Sequence, residues 1–138
     1  MRLSVAHVRP LLFALATALA CLPGRPARAA SCTVPTSPGC ATLQTAIDQA
    51  SAGDTITVRE RDGSNTPYFE KLTITTSGIS LVAEISHTPI IDGTGVAGAH
   101  MISIDGSASP VNDVLVRGFE IRNHLNVSDG SGVRIVGA

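Results

Sequence analysis

Residues 42–58, Thr-Leu-Gln-Thr-Ala-Ile-Asp-Gln-Ala-Ser-Ala-Gly-Asp-Thr-Ile-Thr-Val, decide the fold because the period of their apolar side chains changes midway. Before Gly53 these side chains fall at the i, i+3, i+4 and i+7 spacing of one helical face, at Leu43, Ala46, Ile47 and Ala50. Beyond Gly53, Ile56 and Val58 alternate with threonine, which is the period of a strand. The stretch predicts a short helix with Thr42 as its N-cap and Gly53 as its stop, followed by a strand.

Short runs of the same period continue to the end of the chain, separated by Gly, Asp, Asn, Ser or Pro. The predicted strands are Thr55–Val58, Leu72–Ile74, Ile79–Val82, Ile90–Ile91, Met101–Ile104, Val114–Val116, Phe119–Ile121 and Val133–Val136. Corresponding runs recur about 31 to 35 residues apart, which indicates an internal repeat of three strands per unit. Stacked units would pair each strand in parallel with its counterpart, and the helix would cap the first unit.

This pattern predicts an all-β fold, a right-handed parallel β-helix with three short strands per coil and an N-terminal capping α-helix. The segment Ala46-Ile47-Asp48-Gln49-Ala50, followed by Gly53-Asp54-Thr55-Ile56-Thr57-Val58, resembles the entry of the pectate-lyase-like β-helix superfamily. The resemblance covers roughly residues 41 to 136 and identifies no catalytic motif. It implies that residues 42–138 are the helix and first coils of a longer protein, with further coils after Ala138.

The first 29 residues have the composition of a secretory signal peptide. Met1 to Arg9 carries two arginines and no acid, Leu11 to Leu22 is apolar, and Ala27-Arg28-Ala29 is a small-x-small cleavage site. The apolar run is too short to span a bilayer, so we predict a secreted, periplasmic or cell-surface protein without a transmembrane segment. A lipoprotein anchored at Cys21 is the alternative.

Export changes the charge of the chain, because four arginines and no acid lie within the signal peptide. The remaining residues carry six basic and eleven acidic side chains, a net charge of about −5. Nucleic acid is therefore excluded as a partner, since binding phosphate requires concentrated Lys and Arg. An acidic polysaccharide stays open as a partner if arginines or a metal bridge its carboxylates.

Two cysteines remain in the exported part, within a predicted extended lead-in of residues 30–41. Cys32 and Cys40 are close in sequence with Pro and Gly between them, which predicts a disulfide in an oxidising compartment. A metal site is the alternative, although no further Cys or His lies nearby in the sequence to complete it.

The basic side chains near the end of the chain are the candidate substrate-binding residues. Arg117 and Arg134 would lie on neighbouring coils and could hold a carboxylate in a fork. The alternative is that they form surface ion pairs with Glu120 and Asp113. His124 is expected to be an ordinary loop residue.

Other residues have both a functional and a structural interpretation. Lys71 could be a catalytic base or a surface lysine. Tyr68 and Phe69 could stack on a sugar, although Phe69, like Phe119, is expected in the core. Asn123 is expected to bond along a stacked bend. Four aspartates could bind calcium in the complete protein or simply form turns: Asp92, Asp105, Asp113 and Asp129.

Two functions follow as hypotheses. The resemblance implies a polysaccharide lyase that cleaves an acidic glycan such as pectate or alginate, with calcium, and whose catalytic residues lie outside this chain. The alternative is a non-enzymatic surface or adhesin-like protein. Because Val133, Ile135 and Val136 have no following strand to cover them, we also expect self-association through the open end.

Overall fold

The computed structural model describes residues 31–62, 66–98, 100–124 and 130–137, and the predicted signal peptide and Cys21 lie outside this part of the chain. Nine short strands and one helix follow one another within these ranges. They are β1 (Ser31–Val34), α1 (Leu43–Gln49), β2 (Thr55–Val58), β3 (Leu72–Ile74), β4 (Ser80–Ala83), β5 (Ile90–Asp92), β6 (His100–Asp105), β7 (Leu115–Arg117), β8 (Glu120–Arg122) and β9 (Ser131–Val136). No helix in the described ranges has the length and apolarity needed to cross a membrane.

The predicted helix is confirmed, and its N-terminus is held from two sides. The Thr42 hydroxyl accepts a hydrogen bond from the Thr45 backbone N–H at 3.1 Å, as an N-cap does. The Glu70 carboxylate accepts hydrogen bonds from the first two helical N–H groups, those of Leu43 and Gln44, at 3.3 and 3.1 Å. The helix ends at Gln49 with Ala50 as its C-cap, so Gly53 is not the helix stop that we predicted.

All pairing between the strands is parallel, and the strands form three separate sheets among the described residues. One sheet has the order β1-β2-β4-β7, the second β3-β6-β9, and the third contains only β5 and β8. The register joins positions 30 to 35 residues apart in four strand pairs, with Leu81 opposite Val116 and Ile102 opposite Val133, and 24 or 25 residues apart in β1–β2 and β2–β4. The predicted pairing of corresponding runs is therefore confirmed.

The predicted fold class is wrong. The chain is a small mixed structure of several short parallel sheets and one short helix, and regular coils of a β-helix are not evident. Three strands per coil would give three sheets with equal numbers of strands, whereas these sheets contain four, three and two. The inequality arises partly before β3, where Arg61 and Tyr68 form isolated bridges instead of a strand. Turn residues predict where strands end, but they do not ensure that each unit contributes three.

The N-terminal segment was also predicted differently. Residues 30–41 are not only an extended lead-in, because β1 pairs with β2 in register from Ser31 opposite Thr55 to Val34 opposite Val58. The predicted disulfide between Cys32 and Cys40 is present and links β1 to the segment before the helix. The sequence signal for β1 was weak because it holds a single fully buried apolar side chain, that of Val34.

The core lies between the sheets and under the helix. The strands β2 and β3 bury alternate side chains, as their period of two predicts. In contrast, β5 buries all three of its residues and β6 buries four in a row. The core is composed mainly of aliphatic side chains and includes Val34, Leu43, Ile47, Ile56, Val58, Leu72, Ile74, Ile79, Leu81, Ile91, Met101, Ile102 and Ile104.

Candidate interaction surface

In the last strand of a sheet, apolar side chains are partly exposed at positions whose partners on the preceding strand are buried. Ile102 is fully buried, but Val133, its partner in register, is 45% exposed. Ile104 is 8% exposed, whereas its partner Ile135 is 61% exposed. The cause is the position of β9 at the edge of its sheet, where no described strand covers its far side.

Side chains from β7, β8, β9 and the turns beside them line one concavity. We call this set the open apolar face, and it consists of Val114, Val116, Phe119, Ile121, Val133 and Ile135. Among the described side chains that line the concavity, Arg117 is the charged one. Several of the set also pack against the core from their inner side, so the face is a continuation of the core surface.

The two arginines predicted to bind substrate lie at the ends of different sheets. Arg117 is in β7, opposite Val82, and Arg134 is in β9, opposite Ser103. They are therefore not cross-strand neighbours, and both are exposed. Neither has a described hydrogen bond or ion pair. Hydrogen bonds from Ser107, and to a smaller extent the charge of Arg134, hold the pKa of Asp105 below its ordinary value. The binding of a carboxylate by both arginines stays a prediction.

Glu120, one of the two acidic residues expected near these arginines, pairs with Arg122 instead. In β8, Glu120 accepts hydrogen bonds from Arg122, one of them from the terminal guanidinium nitrogen at 2.8 Å. These hydrogen bonds lower the pKa of Glu120 and raise that of Arg122. Both side chains remain nearly half exposed, at 44% and 47%. They form a pair of opposite charges on the outer side of β8, two residues apart.

Asn123 has the stacking role that the sequence predicts. Its side-chain amide donates hydrogen bonds to both carboxylate oxygens of Asp92, at 3.1 and 3.0 Å, from one strand to the next. Asp92 is buried and also accepts a hydrogen bond from the Thr94 backbone N–H at 2.8 Å. Hydrogen bonds from Thr94, and next those from Asn123, hold the pKa of the Asp92 carboxyl below its ordinary value.

The described residues contain no group of side chains that could bind calcium. No set of three or more His, Cys, Asp or Glu side chains there is placed to hold a metal ion. Asp92 and Asp105 instead accept hydrogen bonds within their own turns, from Thr94 and Ser107. Asp129 lies outside the described residues.

The two adjacent aromatic residues have opposite environments. Tyr68 is buried, at 1% exposure, and its hydroxyl donates a hydrogen bond to the Arg59 carbonyl at 2.6 Å. The expectation that Phe69 belongs to the core is wrong, because it is 51% exposed. Phe119 packs against the core while partly exposed. Lys71 is an exposed side chain.

Two polar groupings were not identified from the sequence. His100 Nδ1 lies 2.9 Å from Ser131 Oγ, because these residues are opposite each other at the start of β6 and β9. In a nucleophile–base pair the serine hydroxyl bonds to a histidine in this way, and a third group orients the imidazole. No carboxylate among the described residues orients the imidazole of His100. His87 lies between Glu60 and Glu84, at 3.6 and 3.5 Å. Only the parallel register could reveal the first pair.

No protein-family model matches the chain, and no curated protein and no solved structure shows significant similarity to it. The function must therefore be inferred from the surface of the molecule.

Proposed function

We propose that this chain is an exported, non-enzymatic structural protein that self-associates through the open apolar face. The observation that supports the proposal most directly is the change in exposure along one ladder. Ile104 is almost buried, whereas Ile135, which follows it in register, is 61% exposed. A surface that continues the core, with solvent on its outer side, is typical of a protein–protein contact.

The energetics favour a partner for this face. Complete burial of one Val, Ile or Phe side chain contributes roughly 1.5–3 kcal/mol. The face has six such side chains, each partly exposed, and two copies in contact would bury both sets. The free energy gained by burying both sets of side chains is comparable with the roughly 4–15 kcal/mol that association costs in lost translational and rotational freedom. The edges of β7, β8 and β9 also offer unpaired backbone groups to a partner.

Export is supported by two independent features. The Cys32–Cys40 disulfide is compatible with an extracellular location, because disulfides persist in oxidising compartments. The composition of residues 1–29 is that of a secretory signal.

Substitution of Ile135 by lysine tests the self-association. A charge within the open apolar face would have to be desolvated in the contact, so we expect Ile135→Lys to raise the dissociation constant at least about tenfold. Because Ile135 is 61% exposed, the variant should still fold. Analytical ultracentrifugation of the full chain at several concentrations measures the effect.

Ile85 supplies the matched control, since it is 90% exposed and lies between β4 and β5, away from the open apolar face. Ile85→Lys should associate like the wild type. A wild-type chain that stays monomeric at high micromolar concentration would refute the proposal, and so would equal effects of the two substitutions.

A second candidate function is the binding and cleavage of an acidic polysaccharide. The observation in its favour is that Arg117 and Arg134 are exposed, and neither forms an ion pair within the part of the chain that the structure describes. Incubation with pectate or alginate, with and without calcium, tests it through the absorbance of the unsaturated sugar product. Binding that Arg117→Ala and Arg134→Ala weaken, without product, would indicate a binding role only.

A further inference from the structure

We infer that two copies of the chain join through β8, which pairs antiparallel with β8 of the partner across a two-fold axis at Ile121. This inference rests on the self-association proposed above and adds its geometry. The partner is a second copy because the free edge of β8 is complementary to itself in its backbone groups, its apolar side chain and its charges.

Among the described residues, no strand lies beyond β8 on the side away from β5, and the backbone groups of β8 on that side belong to Ile121. The N–H of Glu120 donates to the Pro89 carbonyl, and the carbonyl of Arg122 accepts from the Gly93 N–H. The backbone groups of Glu120 and Arg122 therefore point toward β5. Backbone groups of successive residues in a strand point to opposite edges. The N–H and carbonyl of Ile121 therefore point to the free edge. Two such residues opposite each other can exchange both hydrogen bonds, as one antiparallel pair.

The charges of β8 fit the same arrangement. An antiparallel pair centred on Ile121 sets Glu120 of one protomer opposite Arg122 of its partner, and the reverse pair lies on the other side of the axis. Each protomer already holds its own Glu120–Arg122 ion pair on the outer side of the strand. The dimer would therefore contain four alternating charges, with an opposite charge across each strand boundary. A copy in any other register would lose this match.

The side chain of Ile121 completes the match. It lies on the inner side of β8 and lines the concavity together with Val116 and Val133. Two copies joined at β8 would bring their concavities toward each other, with charge on the outside and apolar side chains within.

Charge reversal within β8 tests this geometry. In Glu120→Arg the strand carries two arginines, and in Arg122→Glu it carries two glutamates. Each variant alone should dissociate, with a dissociation constant raised about tenfold or more, because like charges then face each other twice. An equimolar mixture of the two variants should associate as tightly as the wild type. The double variant E120R/R122E should also recover self-association. Sedimentation equilibrium of the full chains, alone and mixed, measures all four states.

Arg59→Glu is the matched control. It reverses a charge that is ion-paired with Glu84 outside β8, so it should leave association unchanged. If Ile135→Lys dissociates the wild-type dimer but the mixture of charge variants fails to associate, β8 pairing is overturned while self-association stands. If the wild type is monomeric, both fail. Rescue in the mixture and in the double variant together supports the two-fold pairing.

Discussion

At the residue scale, Tyr68 and Phe69 show how far a residue type predicts its environment. Both are aromatic and adjacent, yet Tyr68 is buried and Phe69 is 51% exposed. In an extended segment, neighbouring side chains point to opposite sides, so only one of them can enter the core. The isolated bridge from Tyr68 to Ile91 determines which one does.

Tyr68→Phe tests the buried hydroxyl. Its removal leaves the Arg59 carbonyl without its donor, and we expect the free energy of unfolding to fall by about 1 kcal/mol at neutral pH. Burial raises the pKa of Tyr68 to about 12, above the ordinary value of 10.0. The neutral hydroxyl is thus favoured in the folded state, and wild-type stability should be present below pH 10 and lost as pH rises toward 12.

Urea denaturation between pH 7 and 12 measures both effects. The variant should lack the part of the alkaline loss that depends on the hydroxyl. The exposed neighbour provides the control, since Phe69→Leu should change stability by no more than about 0.5 kcal/mol. If Tyr68→Phe loses stability with the same alkaline slope as the wild type, the buried hydroxyl is not the titrating group.

At the element scale, the helix α1 depends on groups outside itself. It has only seven residues and carries no acidic side chain in its first turn. A helix of this length is marginal alone. The Glu70 carboxylate supplies the missing negative group at its N-terminus, and Gln44 in turn bonds to the backbone N–H and carbonyl of Thr73 at 2.8 and 3.0 Å. The helix and residues 70–73 therefore satisfy each other's backbone groups.

We expect Glu70→Ala to fray the helix and to lower the free energy of unfolding by about 1 kcal/mol, as the loss of an N-cap does. Hydrogen exchange should quicken at the backbone amides of Leu43 and Gln44 first. Lys71→Ala is the control, because Lys71 is exposed and next to Glu70 in sequence. Unchanged exchange at the two amides in Glu70→Ala would show that the carboxylate does not hold the helix.

At the scale of the whole molecule, stability and assembly should be linked. If only the folded chain associates through the open apolar face, the melting temperature must rise with protein concentration. We expect differential scanning calorimetry to show this rise for the wild type and a flat response for Ile135→Lys. A wild-type melting temperature that is independent of concentration across the range where dimers form would contradict the link.

The sequence by itself determined the helix, most of the strands, the parallel pairing of β4, β5 and β6 with β7, β8 and β9, and the disulfide. These are set by local periodicity, turn residues and short separations, which residue types encode directly. The number of strands in each sheet, the burial of Tyr68 and the exposure of Phe69 were decided only by the tertiary structure. Each depends on which strand has a neighbour on its far side, and that is a property of the sheets.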